Sequence, residues 1–258
     1  MFFQTYSPKT IFITGASSGL GAALASEYAA ENITLHLCGR NEERLLKTAD
    51  ICRTKGATVY TYLFDVQNTE ETENAIRTAH QHTPLDLIIA NAGVSGGVLG
   101  DKETAETTRR IMQTNIFGML NTVLPALSLM QDQHKGQIAI VASLAGYRGM
   151  ASCPAYSASK SCAKAFGEAL YGQQKPNNVH ITTICPGFIE TPLTDKNRFY
   201  MPFLMSAPKA AHIIRKRLAH APALIAFPWI MRFGAWIGTC LPGWIALPLF
   251  ARFPKKEK

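Results

Sequence analysis

Charge is scarce in this chain: Asp, Glu, Lys and Arg together make up 17% of its 258 residues. No low-complexity segment, internal repeat or linker interrupts it before about residue 220, which excludes a disordered or solenoid protein. Its six cysteines (Cys38, Cys52, Cys153, Cys162, Cys185 and Cys240) form no C-x-x-C pair and no metal-ligand spacing. That argues against a zinc site and a disulfide framework; reduced thiols in the cytoplasm, with no metal, are expected. The opening MFFQTYSPKT lacks a basic stretch followed by an apolar one, so no secretory signal is expected. The formal charge of +8 comes from dispersed residues, apart from Arg215-Lys216-Arg217 and Lys255-Lys256. No nucleic-acid motif accompanies them, so no nucleic-acid partner is expected. An anionic cofactor or a phospholipid surface suits the excess better.

What the chain has is apolar residues, 47% of the total, enough for one large domain with a sizeable core. Apolar runs of strand length (Thr10–Thr14, Thr34–Cys38, Thr58–Phe64, Asp86–Ala90, Gln137–Ala142 and His180–Cys185) alternate with helical patterns near 19–31, 41–54, 69–82, 104–131, 154–174 and 207–219. This alternation predicts an α/β fold, a single Rossmann-type doubly wound parallel sheet with helices on both faces. Ligands of such sheets bind at the carboxyl ends of the strands. Residues 1–221 are expected to form this catalytic domain. Residues 222–258, rich in Trp, Phe, Pro and Gly, read as an apolar C-terminal helical extension rather than a seventh strand–helix unit.

The segment after the first strand is TGASSGLG, Thr14 to Gly21. Gly15 permits a tight turn, Gly19 lets a pyrophosphate approach the backbone, and Gly21 lets the helix pack close to the sheet. Free N–H groups and the dipole at the helix N-terminus then attract the phosphates. With Ser17, Ser18 and Leu20 of the same turn, these residues are read as a dinucleotide site. A carboxylate at the end of the second strand would select NAD by holding the ribose 2′-OH. The sequence has Gly39, Arg40 and Asn41 there, so Arg40 is expected to clamp a 2′-phosphate, and NADP(H) is the expected cofactor.

In AYSASKSCAKAF, residues 155–166, Tyr156 and Lys160 stand four apart on a predicted helix, hence on one face. A cation beside a phenol favours proton transfer nearer neutral pH. Together with the glycine turn, Asn91-Ala92-Gly93 after the fourth strand, Asn115, Ser143 and the YSASK run, the chain resembles the single-domain short-chain dehydrogenase/reductases over about residues 9 to 195. The resemblance implies that Tyr156 is the general acid/base and that Ser143 polarises the carbonyl. It implies that Lys160 holds the cofactor ribose and lowers the tyrosine pKa, and that Asn115 supports a water chain to Lys160. Asp65-Val66 would flank the adenine, and Pro186, Gly187, Ile189 and Thr191 would hold the nicotinamide end. The one departure in the glycine signature is Leu20, where isoleucine is commoner.

The expected activity is NADPH-dependent reduction of a hydrophobic, lipid-like ketone or aldehyde. Phe188, Leu193, Phe199, Met201, Phe203, Leu204 and Met205 would line a lid near 188–206. Alcohol oxidation on the same site and a non-catalytic nucleotide-sensing scaffold are the alternatives. A sugar-nucleotide epimerase is disfavoured, because its TGxxGxxG turn and larger C-terminal domain are missing. The wide apolar face of the 104–131 helix (Ile111, Ile116, Met119, Leu120, Val123, Leu124 and Leu127) and the family habit imply a homodimer or homotetramer. In the tail, Phe233 to Ala251 is free of charge and flanked by Arg232 and Arg252. Pro242-Gly243 should split it into helices near 229–241 and 243–251. Residues 229–258 are read as peripheral contact with the cytoplasmic face of a membrane, as packing over the pocket or a partner subunit, or as a single span.

Overall fold

A computed structural model describes residues 6–96, 103–195 and 200–251. Phe199, Arg252, Lys255 and Lys256, all used in the reading above, lie outside the described residues. Seven parallel strands run in the order β3-β2-β1-β4-β5-β6-β9: β1 (Thr10–Thr14), β2 (Thr34–Gly39), β3 (Thr58–Leu63), β4 (Leu87–Ala90), β5 (Gly136–Val141), β6 (Val179–Pro186) and β9 (Leu224–Phe227). The order reverses between β1 and β4, where a doubly wound sheet opens its ligand crevice. A short parallel pair, β7 (Ile189–Glu190) and β8 (Met205–Ser206), closes the base of the predicted lid.

Each strand feeds both faces through its period of two. Ile11 and Ile13 of β1 enter one core with α1 (Gly19–Tyr28), α2 (Glu42–Thr54) and α7 (Ala207–Leu218). Phe12 enters the other, with α3 (Thr69–His82), α5 (Gly118–Asp132) and α6 (Pro154–Gln174). Local signals start the helices. Asn41 caps α2 by accepting a 2.9 Å hydrogen bond from Arg44 N–H, Asn68 caps α3 through Glu71 N–H, and Pro154 opens α6 at its first turn.

Two elements depart from the sequence reading. The predicted 104–131 helix is three pieces: α4 (Ala105–Met112), a π-helical turn over Gln113–Phe117, and α5. Its wider ring, Gly118 N–H to Gln113 carbonyl, rotates the following residues relative to α4. Residues 222–258 are also not wholly an extension: Leu224–Phe227 pairs in register with Thr183–Pro186 as the seventh strand. A four-residue apolar run between prolines carries too little periodicity to announce a strand; its pairing partner, β6, decides it. Beyond it lie α8 (Trp229–Cys240) and α9 (Gly243–Ala251), divided at Pro242-Gly243 as expected. Pro248 sits inside α9 without ending it. Among the described residues no helix is long and apolar enough to cross a membrane.

Candidate active site

The crevice is built by packing the glycine turn against the end of β4. Gly15 takes a φ of +69°, open to glycine at little cost. Gly21 is required by proximity, since a Cβ there would stand 2.2 Å from the Gly15 carbonyl oxygen and 2.6 Å from Asn91 Nδ2. Asn91 donates from Nδ2 to the Thr14 carbonyl (3.0 Å) and the Gly15 carbonyl (3.3 Å). The Thr14 hydroxyl accepts from the backbone N–H of Asn91 and of Ala92. Two neighbouring strand ends are thereby locked into one rim, a task for Thr14 that the sequence reading missed. Leu20, in contrast, is buried in the core and serves packing.

Thr191 faces this rim: a Cβ on Gly19 would lie 3.0 Å from its Cγ2. The segment after β6 is held in place by Gly187 N–H to the Phe227 carbonyl and by Thr194. The Thr194 hydroxyl donates to the Ile189 carbonyl and accepts from Thr191 N–H. The glycine turn, Asn91–Gly93 and Pro186–Thr191 therefore surround one space. Close backbone approach, a helix N-terminus and a cationic end fit a nicotinamide dinucleotide. At the far end Arg40 Nη1 donates to Asp65 Oδ2 at 3.1 Å, and both side chains remain partly exposed. Val66 is buried against Gly118, and Asn41 is committed to capping α2.

The other candidate residues meet beyond the carboxyl ends of β4 and β5. Lys160, only 6% exposed, donates from Nζ to the Val141 carbonyl at 2.9 Å and lies 5.8 Å from the centre of the Tyr156 ring. A Cβ on Gly93 would come within 3.4 Å of Lys160 Nζ and 3.3 Å of Asn115 Oδ1, so that glycine keeps the space beside both groups small. Asn115, 2% exposed, sits inside the π-helical turn. It accepts from Val94 N–H at 2.8 Å and donates to the Val94 carbonyl and to Ser159 Oγ, each at 2.9 Å. Ser159 donates in turn to the Tyr156 carbonyl. Asn115 thus acts through its neighbours, tying the β4 loop to the helix that carries Tyr156. Ser159 was not singled out in the sequence, although a serine three residues after a helical position can return its hydroxyl to that carbonyl. Ser143 leaves β5 in extended conformation and caps the 3₁₀ turn Leu144–Gly146 through Ala145 N–H, which keeps its hydroxyl beside the Tyr156 phenol.

The electrostatics set the resting protonation states. Burial pushes the Tyr156 phenol up to about 12, outweighing the opposing hydrogen bond with Ser143, while burial brings the Lys160 ammonium down to about 8. Desolvation is the largest cause at both groups, and the Lys160 ammonium directs one of its N–H groups to the Val141 carbonyl. At neutral pH Tyr156 therefore holds its proton and Lys160 remains mostly charged. The site can donate a proton to a developing oxyanion.

A family model described as short chain dehydrogenase matches residues 9–199. The chain belongs to the short-chain dehydrogenases. An uncharacterised oxidoreductase of Myxococcus xanthus is 36% identical over 245 residues, covering 95% of both chains. The ketoacyl reductase HetN of a Nostoc species is 32% identical over 212 residues, 81% of this chain and 71% of its own. Among solved structures, actinorhodin polyketide ketoreductase with NADPH superposes with a TM-score of 0.73 at 24% identity, over 84% of this chain and 95% of that one. A short-chain dehydrogenase of Mycobacterium paratuberculosis bound to NAD gives 0.74 at 20%, over 84% and 95%. At these identities the structural likeness is one of fold. This short-chain dehydrogenase is thus an oxidoreductase of a family that binds nicotinamide dinucleotides and acts on small molecules.

Proposed function

We propose that this short-chain dehydrogenase reduces a hydrophobic ketone or aldehyde to the alcohol with NADPH. The observation that carries the reading is the Ser143–Tyr156–Lys160 cluster, half-buried at Ser143 and Tyr156 and buried at Lys160, with Tyr156 held in its protonated form at neutral pH. A nicotinamide dinucleotide, when bound, supplies the hydride. Ser143 donates a hydrogen bond to the carbonyl oxygen and orients it. Tyr156 then gives up its proton as negative charge develops on that oxygen. Lys160, charged and close by, stabilises the phenolate left behind. Asn115 and Ser159 keep α6 in register with the β4 loop while this happens.

NADPH is favoured over NADH by Arg40, whose guanidinium is half exposed at the crevice end where a carboxylate would otherwise follow Gly39. The name ketoacyl reductase for HetN supports carbonyl reduction. The exposed Phe203 and Leu204 beside Met205 support a hydrophobic substrate. Exposed Phe117 and Leu124, seven residues apart along the π turn and α5, support a homodimer through that face. Six free thiols support a reducing, cytoplasmic setting.

The test is a panel of carbonyl compounds of rising chain length, followed by nicotinamide absorbance with NADPH and with NADH. Turnover that is faster with NADPH and rises with chain length is expected. No turnover of any carbonyl, or a clear preference for NADH, removes the reading.

A further inference from the structure

The helices that flank the sheet turn their apolar sides inward, but α8 and α9 keep most of theirs outside. Met231 and Ala235, four apart on α8, pack against the body, and Gly238 on the same side is covered by Phe250 of α9. The opposite face carries Trp229 (74% exposed), Ile230, Phe233, Trp236 (54%) and Ile237. On α9 only Ala246 is buried, while Trp244 (78%), Leu247 and Leu249 face out. These are the only three tryptophans of the chain. A contiguous surface of this kind marks an interaction site.

It is continuous with the substrate end of the crevice. Helix α8 packs against the Leu144–Gly146 turn that follows Ser143. Met231 Sδ lies 3.0 Å from where a Gly187 Cβ would stand. Pro228, the cap of α8, also lines a cavity of about 340 Å³ together with Phe203, Leu204, Met205, Ser206 and Lys209. A larger hollow of about 490 Å³ runs along the outer side of α2 between Glu43 and Thr54, and none of the site residues lines it. The apolar surface thus runs from the lid, across the cavity, to both C-terminal helices.

Charge selects the occupant. No acidic residue occurs between Asp195 and Glu257. Arg232 lies on α8, and the residues after α9 add Arg252, Lys255, Lys256 and Lys258 against the single Glu257. A second copy docked by two-fold symmetry would set these cations against themselves with almost no acid to offset them. Exposed tryptophans flanked by basic residues match the headgroup zone of an anionic bilayer. Helices of 12 and 9 residues, about 18 Å and 14 Å long, suit the plane of the interface and not a span of about 30 Å.

We infer that α8, α9 and the neighbouring Phe203, Leu204 and Met205 form a docking surface for anionic lipid with the active-site mouth at its edge, and that the carbonyl substrate is a membrane-resident lipid taken directly from the bilayer. The docking stands on its own; the substrate delivery rests on the reductase reading. The full-length protein is titrated with vesicles of phosphatidylcholine alone and of phosphatidylcholine with phosphatidylglycerol, some carrying brominated acyl chains. Tryptophan emission should shift blue and be quenched by the brominated chains with the anionic vesicles, and weaken as salt is added. The Trp229→Gln/Trp236→Gln double variant should bind these vesicles at least roughly tenfold more weakly, a loss of about 1.4 kcal/mol or more. It should lose activity in proportion on a long-chain ketone held in vesicles while keeping its rate on a short, water-soluble ketone. No shift or quenching at low salt, or a shift that follows protein concentration without vesicles, overturns the docking surface. Equal rates of the double variant and the unaltered protein on the vesicle-borne ketone overturn delivery from the bilayer. Vesicle binding without turnover of either ketone also overturns delivery, through the failure of the reductase reading, and leaves the docking surface standing.

Discussion

Helices α6 and α8 both press on the Leu144–Gly146 turn, yet they invert each other's chemistry. Helix α6 buries polar groups: Ser157, Ser159 and Lys160 face inward, each beside a defined partner. Helix α8 buries only a glycine, half-buries a methionine and an alanine, and leaves its large apolar residues outside. Burying a polar group without a partner costs about 1–3 kcal/mol, and exposing a large apolar side chain forgoes about 1.5–3 kcal/mol of burial. The two arrangements point to different purposes. Polar groups are gathered inside where a proton has to be moved, and apolar groups are shown outside where another surface has to be met.

The largest expected effect sharpens the interior half of that contrast. Tyr156→Phe keeps the ring and removes the transferable proton, so turnover should fall by roughly a thousandfold while nucleotide binding persists. Single-turnover kinetics with a nucleotide fluorescence titration checks both; near-normal turnover breaks the assignment.

A second buried polar group, remote from the crevice, should show itself in acid. His36 is fully buried between Phe12, Tyr60 and Tyr62, bonds through Nδ1 to the Tyr62 hydroxyl at 3.0 Å, and has no partner for Nε2 among the described residues. Burial, with His82 nearby, lowers it from 6.5 to about 4. The folded value lies below the unfolded one, so unfolding takes up a proton between them. Stability should be full above pH 6.5 and decline as pH falls toward 4, by at most about 3 kcal/mol. Thermal melts across this range should steepen the loss in the unaltered protein relative to His36→Phe; parallel curves contradict the prediction.

At the crevice end, Arg40→Ala should weaken NADPH binding by about 1.5–3 kcal/mol and NADH binding much less, as measured by calorimetry. Because the Arg40–Asp65 pair is half exposed, its loss should barely change stability. Equal losses for both nucleotides would make Arg40 a support of the loop and not a reader of the 2′-phosphate.

The smallest effect probes the exterior. If α8 faces a partner rather than the core, replacing Trp229 and Trp236 by Gln should change the unfolding free energy in urea by no more than about 0.5 kcal/mol each. A loss of several kcal/mol would show that these rings help hold the fold, and the contrast with α6 would collapse.

Much of this was legible in the chain because it is local. The glycine turn and the Pro242-Gly243 break are short-range signals, and the structure realises both, whereas the caps Asn41 and Asn68 went unread. Residues that meet across the molecule were less visible. Asp65 was read as an adenine contact and Arg40 as a phosphate clamp, and nothing in their spacing announced that they pair. Thr14 and Ser159 looked ordinary until the strand end and the helix they tie together were neighbours.

By itself, then, the amino-acid order determined the alternation of strands and helices, the glycine crevice, and the choice of Tyr156, Lys160, Ser143 and Asn115. The alternation follows from periodicity and the crevice from turn chemistry, whereas the four residues were chosen through the resemblance to the short-chain dehydrogenase/reductases. Only the tertiary structure decided that Leu224–Phe227 extends the sheet, that a π-helical turn carries Asn115 inward, and that burial pushes the Tyr156 phenol up. It also decided that three tryptophans stand in the open. Strand pairing, helix phase, desolvation and exposure depend on what lies opposite a residue, and that is set by packing between distant parts of the chain.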